Sequence, residues 1–245
     1  KGSDQLPPES ELLILQLFIN ESSVVIDVGA NNGLYCYYFQ DIIGVREIHA
    51  IEPIPTLFLK LKKWFKKINF YPFAISDKVS EGILRIPYIN SIRYETRAKL
   101  DSLVEKDETK FKEVKIQTNT LDNLFLDKLS NVDFVKIDIE GHELKAVMGA
   151  KNLIKKHHPI LMIEIEARHH SSNLSSVIDS IEKMGYECYF FDVRSRKISL
   201  FNEFDIQKHQ NTKYEDVNYI NNFLFLPIHS YNIIDLNNQI QAILN

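Results

Sequence analysis

Residues 24–33 read Val-Val-Ile-Asp-Val-Gly-Ala-Asn-Asn-Gly, and this stretch decides the fold. An apolar, β-branched run followed by two glycines, Gly29 and Gly33, is typical of a buried strand that turns sharply into a helix. Because glycine has no Cβ, the backbone of such a turn leaves room for a ligand. The first turn of the helix also carries backbone N–H groups without partners inside the helix. The stretch therefore predicts a site for a small-molecule cofactor.

The composition is that of an ordinary globular protein. The chain has 245 residues, of which 44% are hydrophobic and 25% are charged, and this length fits one large domain or two small ones. We expect a single domain over residues 1–245, with a helical extension over residues 1–22. The net charge of −4 offers no positive surface for nucleic acid, so no nucleic-acid partner is predicted.

The cysteines and the apolar runs indicate in which cellular compartment we expect the protein. The longest apolar run, residues 12–19, is interrupted by Gln16 and is too short to cross a bilayer. Cys36 and Cys188 are the only cysteines, which provides no disulfide framework and favours a reducing compartment. We therefore expect no membrane span and a cytoplasmic localisation. The sequence does not indicate the oligomeric state.

Short apolar runs alternate with helical patterns along the chain. Strands are predicted at residues 24–28, 48–52, 70–75, 134–139, 160–165, 186–192 and 222–227. Apolar residues at three- and four-residue steps predict helices near residues 57–68, 144–154 and 174–184. Strands that are apolar on both faces are typical of a parallel sheet covered by helices. The pattern predicts an open α/β fold in which residues 193–221 form a long loop.

The first of these helical stripes includes Trp64 among its buried residues, and it leaves a run of lysines on the opposite side. Those lysines are Lys60, Lys62, Lys63, Lys66 and Lys67. A basic ligand patch is one interpretation of the run. A solvated helix face is the favoured one, because charge runs at this spacing usually face water.

Residues 83–118 break the alternation of strands and helices. Two short strands are predicted, at residues 83–86 and 114–118, around a polar stretch without a clear period. Long insertions of this kind are often lids or binding loops, so we expect a lid over the acceptor. Its arginines and tyrosines suit a polyhydroxylated or acidic acceptor, with a solvated loop as the alternative. The side chains concerned are Tyr88, Arg93, Tyr94, Arg97 and Lys99.

Two cofactor classes bind at a strand, glycine turn and helix of this type. Dinucleotide sites use Gly-x-Gly-x-x-Gly to bring the backbone against a pyrophosphate, whereas this chain has Asn31 instead of the middle glycine. Asp27, just before the turn, is a poor neighbour for phosphate and suits a cation. S-adenosylmethionine carries a sulfonium and an ammonium and no phosphate. The turn therefore favours S-adenosylmethionine.

The second strand is predicted to end with Glu52. A carboxylate there can accept hydrogen bonds from both ribose hydroxyls of an adenosine. NAD-dependent enzymes use the same device, so this residue does not choose between the cofactors. Capping of the next helix is the structural alternative, and ribose binding is favoured because of the glycine turn upstream.

In this order and spacing, the motifs resemble those of the FkbM-type methyltransferases, a family of class I S-adenosylmethionine-dependent enzymes. The resemblance extends from about residue 24 to residue 227. It implies a Rossmann-like class I methyltransferase fold, with a seven-stranded, mostly parallel sheet whose last strand is antiparallel and with helices on both faces. The landmarks are Ile26-Asp-Val-Gly-Ala-Asn-Asn-Gly33, Ala50-Ile-Glu-Pro-Ile-Pro55, Ala74-Ile-Ser-Asp77, Thr120-Leu-Asp122, Val135-Lys-Ile-Asp-Ile-Glu-Gly-His-Glu143 and Pro159-Ile-Leu-Met-Ile-Glu-Ile165.

The resemblance also implies cofactor-binding roles for particular positions. The methionine end of S-adenosylmethionine is expected beside Asp27, Gly29, Asn31 and Gly33, and its ribose beside Glu52. The adenine is expected beside Ala74, Ser76 and Asp77. Asp77 would accept from the adenine amino group, although a plain turn residue is an equal alternative.

The predicted fourth strand leads into Asp138, Glu140 and His142, which are the candidate catalytic residues. In open α/β folds, ligands bind beyond the carboxyl ends of the strands. Strand alternation predicts that Asp138 and Glu140 point the same way. Methyl transfer requires an aligned acceptor and removal of its proton, tasks that suit carboxylates and an imidazole. The alternatives are a residue near the helix start for Glu140 and an exposed, idle histidine for His142.

A divalent metal is a further alternative at this place. Asp138, Glu140, His142 and Glu164 would supply the oxygen and nitrogen ligands. No spacing demands a metal, however, and none is predicted.

The predicted function is S-adenosylmethionine-dependent O-methylation of a hydroxyl on a sugar, glycan or natural-product acceptor. The alternatives are a catalytically silent cofactor-binding module and a nucleotide-dependent oxidoreductase, and the glycine spacing speaks against the second.

Overall fold

The computed structural model describes residues 9–89, 92–93, 98–100, 110–169, 174–211 and 219–244. The strands in this part of the chain are β1 (Val24–Val28), β2 (Glu47–Ile51), β3 (Asn69–Tyr71), β4 (Ala74–Ile75), β5 (Ser80–Ile89), β6 (Ile92–Arg93), β7 (Lys99–Leu100), β8 (Lys110–Asn119), β9 (Phe134–Ile137), β10 (Ile160–Glu164), β11 (Tyr186–Asp192), β12 (Lys197–Leu200) and β13 (Asn222–Pro227). The α-helices are α1 (Leu34–Tyr37), α2 (Pro55–Trp64), α3 (Leu121–Phe125), α4 (Glu143–Met148), α5 (Lys151–His157), α6 (Leu174–Glu182), α7 (Ile206–His209) and α8 (Ile233–Leu244).

The main sheet has eight strands in the order β12-β11-β13-β10-β9-β1-β2-β3. Strands β3, β2, β1, β9 and β10 are parallel, and β13 is antiparallel to both of its neighbours. The expected α/β fold with an antiparallel last strand is confirmed. The expected number of seven strands is wrong by one, because β12 pairs with β11 and extends the sheet at its edge.

The polar segment at residues 193–221 is therefore not the long loop that its composition predicts. It contains β12 and α7 in its described part. Asp205 caps α7 by accepting hydrogen bonds from the backbone N–H groups of Gln207 and Lys208. Short elements of this length carry too few apolar residues to produce a readable period, which is why the composition misses them.

Helices cover both faces of the main sheet, as the apolar strands predict. Along β1, Val24, Ile26 and Val28 pack on one side with residues of α3, α4, α5 and α6. Val25 packs on the other side with residues of α1, α2 and α8. The N-terminal extension consists of 3₁₀ turns at Ser10–Leu13 and Leu15–Leu17 in its described part and joins this second core.

A second, smaller sheet is formed by the region that was expected to be an irregular lid. Its strand order is β4-β8-β5-β6, with β7 also paired to β5. Strands β5 and β8 form a long antiparallel pair from Ser80↔Thr118 to Tyr88↔Lys110, so both strands are longer than predicted. Tyr94, Arg97 and the side chain of Arg93 lie outside the described residues.

The predicted third strand, residues 70–75, is divided between the two sheets. Residues up to Tyr71 pair with β2, whereas Ala74 and Ile75 pair with β8. Pro72 lies at the break, and it has no N–H to continue the ladder. This switch brings the second sheet to the edge of the main sheet, where Leu84, Leu100 and other apolar residues pack against Ile54 and Leu57.

Two of the predicted helices differ from their apolar patterns. Helix α2 ends at Trp64, which is 53% exposed, although the apolar spacing predicts that it is buried. The third predicted helix is divided into α4 and α5 at Gly149. A Cβ on Gly149 would lie 2.0 Å from the carbonyl oxygen of Ser76, so the chain must pass closely there.

Both cysteines are buried and free. Within the described ranges, no helix has the length and apolar character that crossing a bilayer requires.

Candidate active site

A cavity of about 590 Å³, open mouth included, lies at the carboxyl ends of β1, β2 and β9. The main sheet contributes the glycine turn and the residues after β2 and β9, and the second sheet contributes an apolar wall. The lining residues are Val28, Gly29, Asn31, Ile51, Glu52, Pro53, Ile54, Phe73, Ala74, Ile75, Leu84, Ala98, Leu100, Asp138, Ile139, Glu140 and His142. The cavity thus brings together the predicted cofactor turn and the predicted catalytic segment.

The turn after β1 approaches the chain after β9 very closely. Gly29 has a φ of 86°, and the backbone N–H groups of Gly29 and Ala30 both donate to the carbonyl oxygen of Ile51. A Cβ on Gly29 would lie only 1.9 Å from the carbonyl oxygen of Asp138. Glycine is therefore required here by its positive φ and by the neighbouring backbone together.

Glu52 connects the glycine turn to the start of α2. Its carboxylate accepts hydrogen bonds from the backbone N–H groups of Asn31, at 2.9 Å, and Ile54, at 2.8 Å. The residue is 3% exposed, and burial raises the pKa of its carboxyl to about 7. Each carboxylate oxygen can accept more than one hydrogen bond, so Glu52 keeps acceptor capacity while lining the cavity.

Asn31 offers a second acceptor in the same turn. Its side-chain oxygen Oδ1 is buried and has no hydrogen-bond partner in the described part of the chain. Buried polar atoms are normally satisfied, so an exception beside a cavity calls for an explanation. A ligand that carries N–H groups, such as the ammonium of S-adenosylmethionine, fits this position.

Four of the predicted cofactor residues lie outside the lining of the cavity. Asp27 is 2% exposed and accepts a hydrogen bond from the Cys36 thiol at 3.4 Å. Burial raises the pKa of Asp27 to about 7. A Cβ on Gly33 would lie 2.7 Å from Leu61, so this glycine permits the packing of α2. Direct contacts from these two residues to the cofactor stay a prediction.

Ser76 and Asp77 are the other two predicted cofactor residues outside the cavity lining. Ser76 links Asp77 to His142 of the predicted catalytic segment. The Ser76 hydroxyl lies 2.9 Å from Nε2 of His142 and 3.0 Å from the Asp77 carboxylate. Ala74, the third residue predicted beside the adenine, does line the cavity. The hydrogen bond explains why His142 is buried and not the exposed helix-start histidine of the alternative interpretation.

The segment after β9 does not continue the alternation of the strand. Strand β9 ends at Ile137, and Glu140 has a φ of 50° in the left-handed region. Asp138, Ile139 and Glu140 consequently all line the cavity. Strand alternation therefore does not govern this segment, because alternation holds only where the backbone is extended.

The surroundings of Glu140 raise the pKa of its carboxyl well above the ordinary value. Its pKa is raised to about 8 by burial first, then by the charges of Asp138 and Glu166, while Arg168 acts in the opposite direction. The guanidinium of Arg168 is 4.0 Å from the Glu140 carboxylate. A carboxylate that titrates near neutral pH is suited to exchange protons with a substrate.

Arg168 and Tyr219 are site residues that the sequence patterns did not reveal. Glu166, which is 2% exposed, accepts hydrogen bonds from Arg168 and from the Tyr219 hydroxyl, the latter at 2.7 Å. Arg168 lies three residues after the predicted fifth strand, and this position near the carboxyl end of a strand could have indicated it. Tyr219 offered no signal, because it comes from the polar segment before β13. The apolar wall from Leu84, Ala98 and Leu100 was also missed.

The metal alternative finds no support in the described residues. No group of three or more His, Cys, Asp or Glu side chains is arranged there to hold a metal ion. Glu164 instead accepts a hydrogen bond from the Asn221 side-chain amide at 2.7 Å, and its pKa is raised by burial and then by the Asp138 charge.

The sheet order and the position of the cavity define a class I S-adenosylmethionine-dependent methyltransferase fold. Residues 27–188 match the family model described as the methyltransferase FkbM domain. The chain therefore belongs to the FkbM methyltransferase family, whose cofactor is S-adenosylmethionine. Membership of this family argues against the alternative prediction that the chain is a nucleotide-dependent oxidoreductase. A comparison with curated protein sequences finds no significant match.

Solved structures are similar to this chain at low sequence identity. A methyltransferase FkbM from Methylobacillus flagellatus KT is 18% identical, with a TM-score of 0.51 over 84% of this chain and 44% of the other. This chain thus spans less than half the length of that relative. Aeropyrum pernix fibrillarin, solved with natively bound S-adenosyl-L-methionine, is 13% identical, with a TM-score of 0.44 over 87% of this chain and 72% of the other. At this identity the likeness concerns the fold.

Proposed function

We propose that this chain transfers the methyl group of S-adenosylmethionine to a hydroxyl of a sugar, glycan or natural-product acceptor. One observation carries the proposal: the glycine turn, Glu52 and the acids after β9 line the same cavity.

The cofactor end of the cavity is assigned to the turn after β1. Asn31 would hold the ammonium through its buried Oδ1, and Glu52 would accept from the ribose hydroxyls. The cofactor supplies an electrophilic methyl group on a positively charged sulfur. Ala74 and the apolar residues Phe73 and Ile75 would lie against the adenine, since flat apolar surfaces are typical partners of a base.

The acceptor end is assigned to the segment after β9. Glu140 would take the proton of the attacking hydroxyl, because its raised pKa of about 8 matches a general base near neutral pH. Asp138 would orient the acceptor and the positively charged cofactor. His142 is a weaker candidate for the base, since its Nε2 is engaged by the Ser76 hydroxyl. We assign His142 to holding the adenine-side loop against the reaction centre.

The second sheet would form the wall that faces the acceptor. Leu84, Ala98 and Leu100 line the cavity from this sheet, and exclusion of water by such a wall strengthens electrostatic interactions inside it. In this proposal, the described strands within residues 83–118 form a packed wall beside the acceptor in place of the expected lid.

Label transfer tests the function. The purified chain is incubated with S-adenosylmethionine that carries a tritiated methyl group and with separate pools of saccharides, glycans and polyhydroxylated natural products. Transfer of the label to an oxygen of one pool is expected. If S-adenosylhomocysteine binds but no pool is labelled, the silent cofactor-binding module is favoured. If calorimetry detects no binding of S-adenosylhomocysteine to the folded protein, the proposal is wrong.

Glu52→Gln is expected to weaken the binding of S-adenosylhomocysteine about 10- to 100-fold. Loss of a charged hydrogen-bond acceptor costs about 1.5–3 kcal/mol, and the new amide turns its NH2 group toward one of the two backbone donors, Asn31 or Ile54. Calorimetry measures the affinity, and a thermal melt checks the fold. Glu47→Gln, on the exposed first residue of the same strand, is the control and should bind normally. Unchanged affinity of Glu52→Gln would exclude the ribose role.

A further inference from the structure

Lys136 is a fully buried lysine in the middle of the main sheet. It lies in β9 opposite Asp27 of β1 and Met162 of β10, and none of its surface is exposed. Burying a charged side chain is costly unless opposite charges and hydrogen bonds compensate for the lost water. Its positive charge is therefore expected to be balanced by the acidic groups around it.

The ammonium group of Lys136 has three close partners. Its Nζ donates to Oδ1 of Asn222 at 2.9 Å and lies 3.7 Å from Oδ2 of Asp138. The ring of Tyr35 covers it, with the ring centroid at 5.0 Å. The ammonium is therefore held at the end of the sheet where the cavity begins.

Acidic side chains from several elements face this lysine. They are Asp27 of β1, Asp138 after β9, Glu164 of β10, and Glu9 and Glu11 of the N-terminal extension. Burial alone would lower the pKa of Lys136, but the charges of Asp138, Glu164, Glu9 and Asp27 outweigh it and raise that pKa. Lys136 therefore carries a positive charge at neutral pH.

Burial has the opposite effect on the surrounding acids. It raises the pKa of Asp27 and of Glu11 to about 7, and it raises the pKa of Glu9 and Glu164 as well. Among these described acids, Asp138 is the one that lines the cavity, and its side chain is 30% exposed. The positive charge of Lys136 thus lies beside Asp138, the acid of this group that lines the cavity.

We propose that Lys136 is a positioning residue, a buried cation that holds the Asp138 carboxylate in place at the cavity. This inference rests on the proposed function, in which Asp138 faces the positively charged cofactor. Asn222 accepts a hydrogen bond from the ammonium, which lies 3.7 Å from Oδ2 of Asp138. Without the cation, the carboxylate would lose the charged partner that orients it, and the cofactor would bind more weakly.

The test compares Lys136→Met, which has a similar length and no charge, with Lys136→Arg, which keeps the charge. Calorimetry measures the affinity for S-adenosylmethionine in both variants, in Asp138→Asn, and in Asp138→Asn combined with Lys136→Met. We expect Lys136→Met to bind about 10-fold more weakly than the wild type, and Lys136→Arg to bind nearly as tightly as the wild type.

The double variant separates positioning from a merely structural role. If Lys136 acts through Asp138, adding Lys136→Met to Asp138→Asn should cause no further loss of affinity. A merely structural role would lower the affinity by the same factor with and without the Asp138 carboxylate.

Each outcome decides the proposal. If Lys136→Met does not fold, Lys136→Met combined with Glu164→Gln removes one buried acid with the cation, and the same set of affinities is measured in that background. Equal losses of affinity with and without the Asp138 carboxylate overturn the inference. Failure of the wild type to bind S-adenosylmethionine overturns the proposed function instead. A crystal structure of Lys136→Met then decides the role of Lys136: a displaced Asp138 side chain supports it, and an unmoved one overturns it.

Discussion

Replacing Glu140 with glutamine is expected to lower the rate of methyl transfer about 100- to 10,000-fold, the usual contribution of a general base. Glutamine keeps the size of the side chain but cannot accept the proton of the acceptor hydroxyl. The binding of S-adenosylhomocysteine should change little, because Glu140 is assigned to the acceptor end. Single-turnover measurements with labelled cofactor separate the rate of transfer from binding.

The pH profile provides the sharper part of the Glu140 experiment. Because the raised pKa of about 8 leaves Glu140 protonated at lower pH, the wild-type rate should rise as the pH increases through about 8 and then level off. Glu140→Gln should lose this rise. Glu113→Gln, on an exposed acid of the second sheet, is the control and should keep the wild-type profile. A flat wild-type profile, or a Glu140→Gln rate near that of the wild type, contradicts the role.

Replacing Gly29 with alanine is expected to destabilise the protein by about 4 kcal/mol or more, a size reserved for severe local conflicts. The added Cβ would lie 1.9 Å from the carbonyl oxygen of Asp138, and backbone on both sides must shift to relieve it. Because β1 and the segment after β9 would separate, cofactor binding should be lost as well. Urea unfolding followed by circular dichroism measures the free energy of unfolding.

Gly44 offers a matched control for the Gly29 experiment. Its φ of 82° is close to the 86° of Gly29, but a Cβ there would have no neighbour within 4 Å. Gly44→Ala should therefore cost only the strain of a left-handed alanine, about 1–2 kcal/mol. Equal costs for the two variants would show that the contact with Asp138 is relieved easily, contrary to the expectation.

Local patterns were sufficient for the parallel centre of the main sheet and for the antiparallel strands β11 and β13, but not for the edge strand β12. Three strands, Val24–Val28, Tyr186–Asp192 and Asn222–Pro227, begin and end where the sequence predicts. Each is a short apolar run bounded by residues that disfavour strands, so the signal lies within the segment itself. The other main strands differ from their predicted bounds by one or two residues, or by the break at Pro72.

Features that depend on partners from distant parts of the chain could not be predicted in this way. The second sheet needs β4, β5 and β8 to meet across a long insertion, and only the short apolar centres of β5 and β8 were visible. Trp64 shares the apolar spacing of α2, yet it lies at the last residue of the helix and remains exposed. Spacing along a helix cannot tell where the neighbouring surface ends.

The residues of the candidate site also differ in whether the sequence alone could reveal them. Gly29, Asn31, Glu52, Ala74, Asp138, Glu140 and His142 were all proposed from the sequence, and all line the cavity. Asp27 and Gly33 belong to the same motif but face Cys36 and α2, because alternate residues of a strand and its turn face opposite sides of the sheet. Lys136 lies within a family landmark and attracted no attention, since nothing along the chain indicates which acids surround it.

The sequence by itself identified three segments that line the cavity: the turn within residues 24–33, Glu52 after the second predicted strand, and the segment after the fourth. These are short-range features, because a strand, a glycine turn and a helix start are specified by neighbouring residues. Only the tertiary structure decided which ionisable groups share one environment. The raised pKa of Glu140 and the buried charge of Lys136 arise from acids that are distant in sequence, and burial makes such charges interact strongly.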